Sequence, residues 1–517
     1  MTKPVQARLI NVFYKTLLML LNKGHTSSAF GWSLHHRHLL TIRTEVLSGI
    51  TVALALIPES LAFAAIAKVP PMVALYTSFC MAIVSAIAGG RPAMISAATG
   101  SMALLMVSLV EKHGVEYLFA ATMLTGMLQF LIGAFKLGKL FNFIPQAAIA
   151  GFVNALGILI FLAQIQQLPG EPWQAYAMVA VTLAIVYLFP RITTAIPSPL
   201  VAIVVMTIAA MSLQLPIRRV GDIGEITRNL PMFHLPQVSV SLETLSIILP
   251  YAITLAIVGL LESLLTAALV DDFTDTQSSK NKEARGQGIA NFVTGCIGGM
   301  AGCGMVGQTL INVRSGGRKR LSTAVSGVFL LFSIFVLQDV VQQIPMATLI
   351  GVMIMVAGET FSWKSLKTLK TSPFPEILVM PVTVSVALCT HDLAQGVLAG
   401  MLFSLLLFGW QLAQINATSA IDPDGVKLYE VSGQLFFGSA ANFVDLFRVS
   451  SDPEQIVIDF ARSHIWDQSA ADAIAKVVAK YDRLGKSVTL VGLNLKSYQS
   501  ARRSGVPEQV MRIQQAA

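Results

Sequence analysis

Two acids stand where the surrounding residues are apolar. Glu59 lies in PESLAFAA (58–65) and Glu262 in LESLLTAA (261–268); the shared Glu-Ser-Leu and Ala-Ala recur 203 positions apart. A carboxylate at mid-bilayer opposes insertion by roughly 2.5–3.5 kcal/mol, so each acid is a functional candidate. A second pairing has nearly the same offset: TGSMALLM (99–106) and VGQTLINV (306–313), preceded by the small-residue runs SAATG and GGMAGCGMVG. Both segments are shorter than a full span and Gly-interrupted, the pattern of broken helices at a carrier's central site. A helix starting inside the membrane leaves backbone N–H groups unpartnered and carries a partial positive charge, so its natural guest is an anion. Thr99, Gly100 and Ser101 are expected at one such start, and Gly304, Met305, Val306, Gly307 and Gln308 at the other. Glycine would let a ligand approach the backbone, while Thr99 and Ser101 add hydroxyl donors. Two negative charges in one desolvated pocket oppose each other; a carboxylate that takes a proton as an anion arrives would couple the two, which is proton symport. The alternative for either acid is a hydrogen bond to backbone exposed at a helix break, as Pro58 would provide beside Glu59.

These residues need long apolar helices to hold them. The chain has 517 residues, 54% apolar and 12% charged, with a mean hydropathy of +0.68; a soluble domain carries roughly 25% charge. Between Val46 and Gln411 there are about twelve to fourteen apolar runs of spanning character. No cleavable leader is evident in residues 1–43, and residues 7–22 read as an amphipathic surface helix. From about Ala417 the composition changes. VKLYEVSGQLFFG alternates like a strand pair, QIVIDFA and SVTLVGL read as strands, and SAADAIAKVVAKYDRLG has helical spacing, so about 95 residues form a small α/β unit. The expected division is a segment 1–43, a transmembrane part 44–416 and a soluble domain 422–517.

The net charge of +8 reads as topology, not nucleic-acid binding. With Val46–Ala67 as first span and the amino terminus cytoplasmic, fourteen Lys/Arg fall in inner loops, among them Lys136, Lys139, Arg314, Lys319 and Lys370. Five fall outside: Lys68, Lys112, Arg218, Arg219 and Arg228. That asymmetry places both termini in the cytoplasm. Cys80, Cys296, Cys303 and Cys389 form no CxxC pair and read as small apolar residues. LGKSVTL (484–490) lacks the first glycine of a phosphate loop, GQGIAN (286–291) lacks the third of a dinucleotide fingerprint, and no HExxH or triad spacing occurs. HHRH (35–38) reads as a basic lipid-facing patch. The chain is not expected to be an enzyme or to hold a cofactor or metal.

Taken in order, IPESLAFA, PPMVALYTSF, AATGSMAL, IPQAAIAGFVNALGILI, GLLESLLTAALVDDFT, GQGIANFVTGCIGGMAG and INVRSGGRKRLS resemble the SulP anion transporters, the family of sulfate permeases and of bicarbonate and dicarboxylate carriers. The resemblance runs from about Arg43 to the end of the chain. It implies an α-helical membrane protein of fourteen spans in two inverted seven-helix repeats, with core and gate domains and elevator-like alternating access in the inner (plasma) membrane, as a homodimer. It places the anion between the third and tenth spans, carried over onto Thr99, Gly100 and Gly304 to Val306. Glu262 becomes the coupling-ion residue, with Thr266 one turn along. Several members have Arg where this chain has Gln308, so a fixed charge is missing here. A sodium-dependent bicarbonate carrier would show Asp at Glu262 and a hydroxyl near Val306; neither is present, which favours protons over sodium. The tail resembles a STAS domain, in which a Ser following Asp is phosphorylated. Here Gln468 follows Asp467 and Ser469 comes next, so the phosphoswitch is missing and helix capping by Asp467 or Ser469 is the plainer role. A regulatory partner acting through this domain is the remaining expectation.

Three classes stay open: a proton-coupled carrier of sulfate, a dicarboxylate or bicarbonate; a sodium-coupled or uncoupled anion carrier, exchanger or channel; and a membrane scaffold presenting the STAS domain. The first is favoured, and the anion itself is not legible.

Overall fold

The computed structural model describes residues 29–513 apart from 139–140, 142–143, 194–196, 225–230, 369–373 and 391. The expected surface helix at 7–22, the side chains of 35–38, and Lys139, Arg228 and Lys370 lie outside the described residues.

Among the described residues, eight helices are long and apolar enough to cross a membrane, and three further apolar helices are shorter. In chain order the first seven membrane-region helices are α1 (Ala29–Ala67), α2 (Pro71–Ala88), α3 (Gly100–His113), α4 (Val115–Ala134), α5 (Gln146–Ile165), α6 (Trp173–Leu188) and α7 (Ser198–Ser212). The next are α8 (Leu242–Thr274), α9 (Lys280–Gly295), α10 (Val306–Arg314), α11 (Arg320–Gln342), α12 (Met346–Thr360), α13 (Phe374–Thr390) and α14 (Leu393–Leu412), with a short connecting helix at Trp363–Thr368. The third member of each series is truncated, and each follows a three-residue strand: β1 (Ser96–Ala98) before α3 and β2 (Gly302–Gly304) before α10.

Local sequence explains the boundaries. Pro70 and Pro71 open α2, where the missing proline N–H removes no helical bond. Ser241 caps α8, its hydroxyl accepting from the Thr244 amide at 3.1 Å. Between α3 and α4 the chain turns on Gly114 at φ +86°, a conformation side chains disfavour. Helices α4 and α9 meet almost backbone to backbone: a Cβ at Gly126 would lie 2.4 Å from the Phe292 nitrogen, and one at Gly288 2.4 Å from the Phe130 nitrogen. Small residues take the place of hydrophobic force where helices pack in lipid.

The described chain divides into two compact units, one of residues up to 144, 152–363 and 387–395, the other of 145–151, 364–386 and 396 onward. The second carries a five-stranded sheet: β3 (Asn416–Ile421), β4 (Lys427–Leu435), β5 (Gln455–Ile465), β6 (Ser487–Leu493) and β7 (Met511–Ile513), in that spatial order. β3 pairs antiparallel with β4, and the remaining pairs are parallel. Helices α15 (Ala440–Asp445), α16 (Gln468–Asp482) and α17 (Leu495–Arg503) complete this domain. Its core gathers Phe443, Phe460, Ile474, Tyr481 and Leu490. Capping of α16 falls to Asp467, whose Oδ1 accepts from the Ala470 amide at 2.9 Å, while Ser469 stays exposed.

Candidate functional site

The two short strands pair antiparallel, Ser96 opposite Gly304, Ala97 opposite Cys303 and Ala98 opposite Gly302. All six residues are buried, and size is the reason for their type: a Cβ at Gly302 would stand 2.5 Å from the Ala97 carbonyl oxygen. Buried side chains pin the ribbon. Asn291 on α9 accepts from the Gly302 amide at 2.8 Å and donates to its carbonyl at 3.0 Å, and also to Gln129 Oε1 at 2.8 Å. Gln287, one turn earlier, donates to Ser96 Oγ at 2.6 Å. Thr309 on α10 accepts from the Ile95 amide at 2.9 Å. Helices α3 and α10 therefore start from opposite ends of one three-residue ribbon, about 10 Å apart at strand rise.

Each acid is held by the opposite series' half-helix. Ser101, in the first turn of α3, donates to Glu262 Oε2 on α8. Gln308, in the first turn of α10, donates to Glu59 Oε2 on α1. Neither acid bonds to backbone freed at a helix break; Pro58 lies inside α1, which continues through it. Glu59 and Gln308 are buried, and Glu262 is half-buried.

Several of the expected site residues have protein partners. Thr99 caps α3, and its hydroxyl lies 3.0 Å from Ser101 Oγ and 3.1 Å from Cys303 Sγ, so both hydroxyls already have protein partners. A Cβ at Gly100 would meet Ile160 at 2.9 Å and Phe63 at 3.0 Å, so the smallness of this residue serves packing. Gly304 belongs to β2, and its amide donates to Ser263 Oγ at 2.9 Å; the Met305 amide donates to the Ile95 carbonyl at 2.8 Å. Neither amide is free for an anion. Thr266 spends its hydroxyl on the Glu262 carbonyl at 2.8 Å, one turn back. The open part of the site is at Val306 and Gly307. Both are exposed, a Cβ at Gly307 would meet nothing within 4 Å, and no side chain caps α10. An uncapped helix start with exposed residues in its first turn is the kind of place at which a helix can receive an anion.

Cysteine 303 was not expected among these groups. Its thiol donates to Glu262 Oε2 at 3.1 Å, which makes it a polar partner and not only apolar filling. Cys80 and Cys296 are buried as expected, but Cys389 is exposed. Among the described residues no cluster of three or more His, Cys, Asp or Glu could hold a metal.

A helical membrane protein with two half-helices abutting on a buried ribbon has the form of an anion carrier. Comparison with known proteins gives the class its family. The sulfate permease family profile matches residues 42–185 and 171–383, and a STAS domain profile matches 418–516. The chain is 53% identical over 453 residues to "Putative sulfate transporter YbaR" of Bacillus subtilis, covering 88% of this chain and 95% of that protein. It is 27% identical to the bicarbonate transporter BicA of a Picosynechococcus strain, covering 88% and 89%. Among solved structures, the transmembrane domain of a cyanobacterial BicA matches with a TM-score of 0.62 at 26% identity, covering 71% of this chain and 97% of that one. Murine Slc26a9 in its inward-facing state matches the fold with a TM-score of 0.77 at 18% identity, covering 96% and 95%. The chain belongs to the sulfate permease family and is a multi-pass anion transporter with a carboxyl-terminal STAS domain, not an enzyme.

Proposed function

We propose that the protein carries a small anion (sulfate, a dicarboxylate or bicarbonate) together with a proton, by elevator-like movement of the unit that holds the ribbon. The observation that supports this most is the crossed anchoring of Glu262 on Ser101. A carboxylate tied to the first turn of one half-helix feels the arrival of a negative charge there. Proton uptake by Glu262 relieves that repulsion, so anion and proton bind as one event. Glu59 on Gln308 repeats the arrangement at the other half-helix. Thr99, Gly100 and Ser101 shape one wall and Gly304 to Gln308 the other, with Val306, Gly307 and Gln308 contributing the open amides. Thr266 fixes the α8 backbone beneath Glu262. The same reading puts the protein in the plasma membrane with both termini cytoplasmic, on the loop-charge asymmetry, and as a homodimer whose STAS domain meets a regulatory partner.

Reconstitution in proteoliposomes tests the coupling. An inward proton gradient should drive accumulation of anion, and a sodium gradient alone should not. Glu262→Gln should abolish gradient-driven accumulation while anion-dependent thermal stabilisation survives. Accumulation driven by sodium, or left unchanged in Glu262→Gln, rejects proton coupling at this residue.

A further inference from the structure

We infer that the anion seated at this site carries a single negative charge. This rests on the carrier reading above and narrows its substrate class. The charges that a ligand would meet can be counted. The uncapped start of α10 contributes roughly half a positive charge, and the capped start of α3 at most as much again, so the two together reach about one at most. Every side chain bonded to the two acids is neutral: Gln308 holds Glu59, while Ser101 and Cys303 hold Glu262. No Lys, Arg or His among the described residues is ion-paired with either acid; the buried guanidinium of Arg91 is paired with Asp271 at 2.9 Å.

With both carboxyls protonated the pocket balances one negative charge and no more. Each carboxyl left ionised makes the balance worse, and a dianion would bring a surplus charge that no side chain bonded to the acids offsets. The exposed wall beside the open amides is the side chain of Val306, which offers no hydrogen bond. Removing an ion from water costs more steeply as its charge grows, so an apolar wall adds to the preference for a monoanion. Bicarbonate, nitrate, chloride and small monocarboxylates are of the fitting class; sulfate and succinate at neutral pH are not.

Thermal melting of the purified full-length chain at neutral pH and constant ionic strength tests the inference. Bicarbonate, nitrate and chloride would be titrated against sulfate and succinate. Half-maximal stabilisation by the best monoanion is expected at a concentration on the order of tenfold or more below that for either dianion. Gln308→Lys supplies the missing positive charge and should bring sulfate into the range of the monoanions. Should sulfate or succinate stabilise the unaltered protein at the same or lower concentration than every monoanion, the valence rule is wrong while the carrier reading stands. Absence of stabilisation by any anion, together with absence of uptake, overturns both. If Gln308→Lys does not fold, the comparison on the unaltered chain decides alone.

Discussion

The thiol of Cys303 stands 3.1 Å from Glu262 Oε2 and 3.1 Å from Thr99 Oγ1, joining the acid on α8 to the cap of α3. It acts as a positioning group for the carboxylate. Cys303→Ala should slow gradient-driven uptake about fivefold, the equivalent of one lost hydrogen bond near 1 kcal/mol. Cys303→Ser, which keeps a donor, should retain most of it. Initial rates measured across pH separate this from packing: the Ala variant should shift the profile and the Ser variant should not. Matching profiles in all three proteins would leave Cys303 a filler.

Two glycines in the first turns of the half-helices should respond in opposite ways to the same substitution. Gly100→Ala drives a methyl into Ile160 and Phe63 and should destabilise the protein by about 1–3 kcal/mol. Gly307→Ala meets nothing within 4 Å, so its melting temperature without anion should stay within a few degrees of the parent. Its anion-dependent stabilisation should nonetheless fall, because the added methyl lies where the amides open. Full anion response in Gly307→Ala would place the ligand elsewhere.

Asn291 serves both edges of Gly302 and bonds to Gln129. Asn291→Ala leaves a buried amide and carbonyl of the ribbon without partners, at about 1–3 kcal/mol for each group. The expected result is a lowered melting temperature and faster amide exchange at residues 302–304, checked by exchange mass spectrometry. Unaltered exchange there would mean that the ribbon needs no such pin.

In the STAS domain the buried carboxylate of Asp452 accepts from Lys427 Nζ at 2.6 Å, Tyr429 at 2.9 Å and Tyr481 at 2.5 Å. Burial alone would raise this carboxyl, but the three donors outweigh it and hold it below the ordinary aspartate range. Lys427 is held above its ordinary range, first of all by the hydrogen bond to Asp452. The aspartate's contribution is complete above its unfolded value near 4 and disappears as pH falls through its lower folded value. The lysine's share is complete below about 10.4 and disappears as pH rises through its higher folded value. Exchange protection of residues 455–493 should thus be level through neutral pH and fall as the pH drops below about 4. Asp452→Asn should be destabilised at neutral pH and lack that acid step; an acid step of unchanged size would assign it to another group.

The broken helices were legible because Gly and Ala runs interrupt apolar segments at one repeat distance, and the two acids because charge is so rare around them. What each acid touches was not. Glu262 meets Ser101 across 161 positions and Glu59 meets Gln308 across 249, and such crossings follow from the antiparallel register of a ribbon only three residues long. A strand of that length has too few positions to show alternation, so Gly304 and Met305 read as part of a helix start when their amides are committed to Ser263 and Ile95. Cys303 read as apolar filling for the same reason: its polarity appears only when its neighbours are known. Gly100 and Gly307 look alike in sequence, and only the packing of Ile160 and Phe63 tells them apart.

The ribbon also restricts how the site can move. Met305 and Thr309 are stapled to Ile95, and Ser96 to Ala98 are laced to Gly302 to Gly304. Pulling one half-helix away from the other would strip paired amides in a region with no solvent to replace them. The two halves of the cradle are yoked, so whatever rides between them travels with the cradle intact, and any hinge must lie outside the stretch from Ile95 to Ala98 and its counterpart from Gly302 to Thr309.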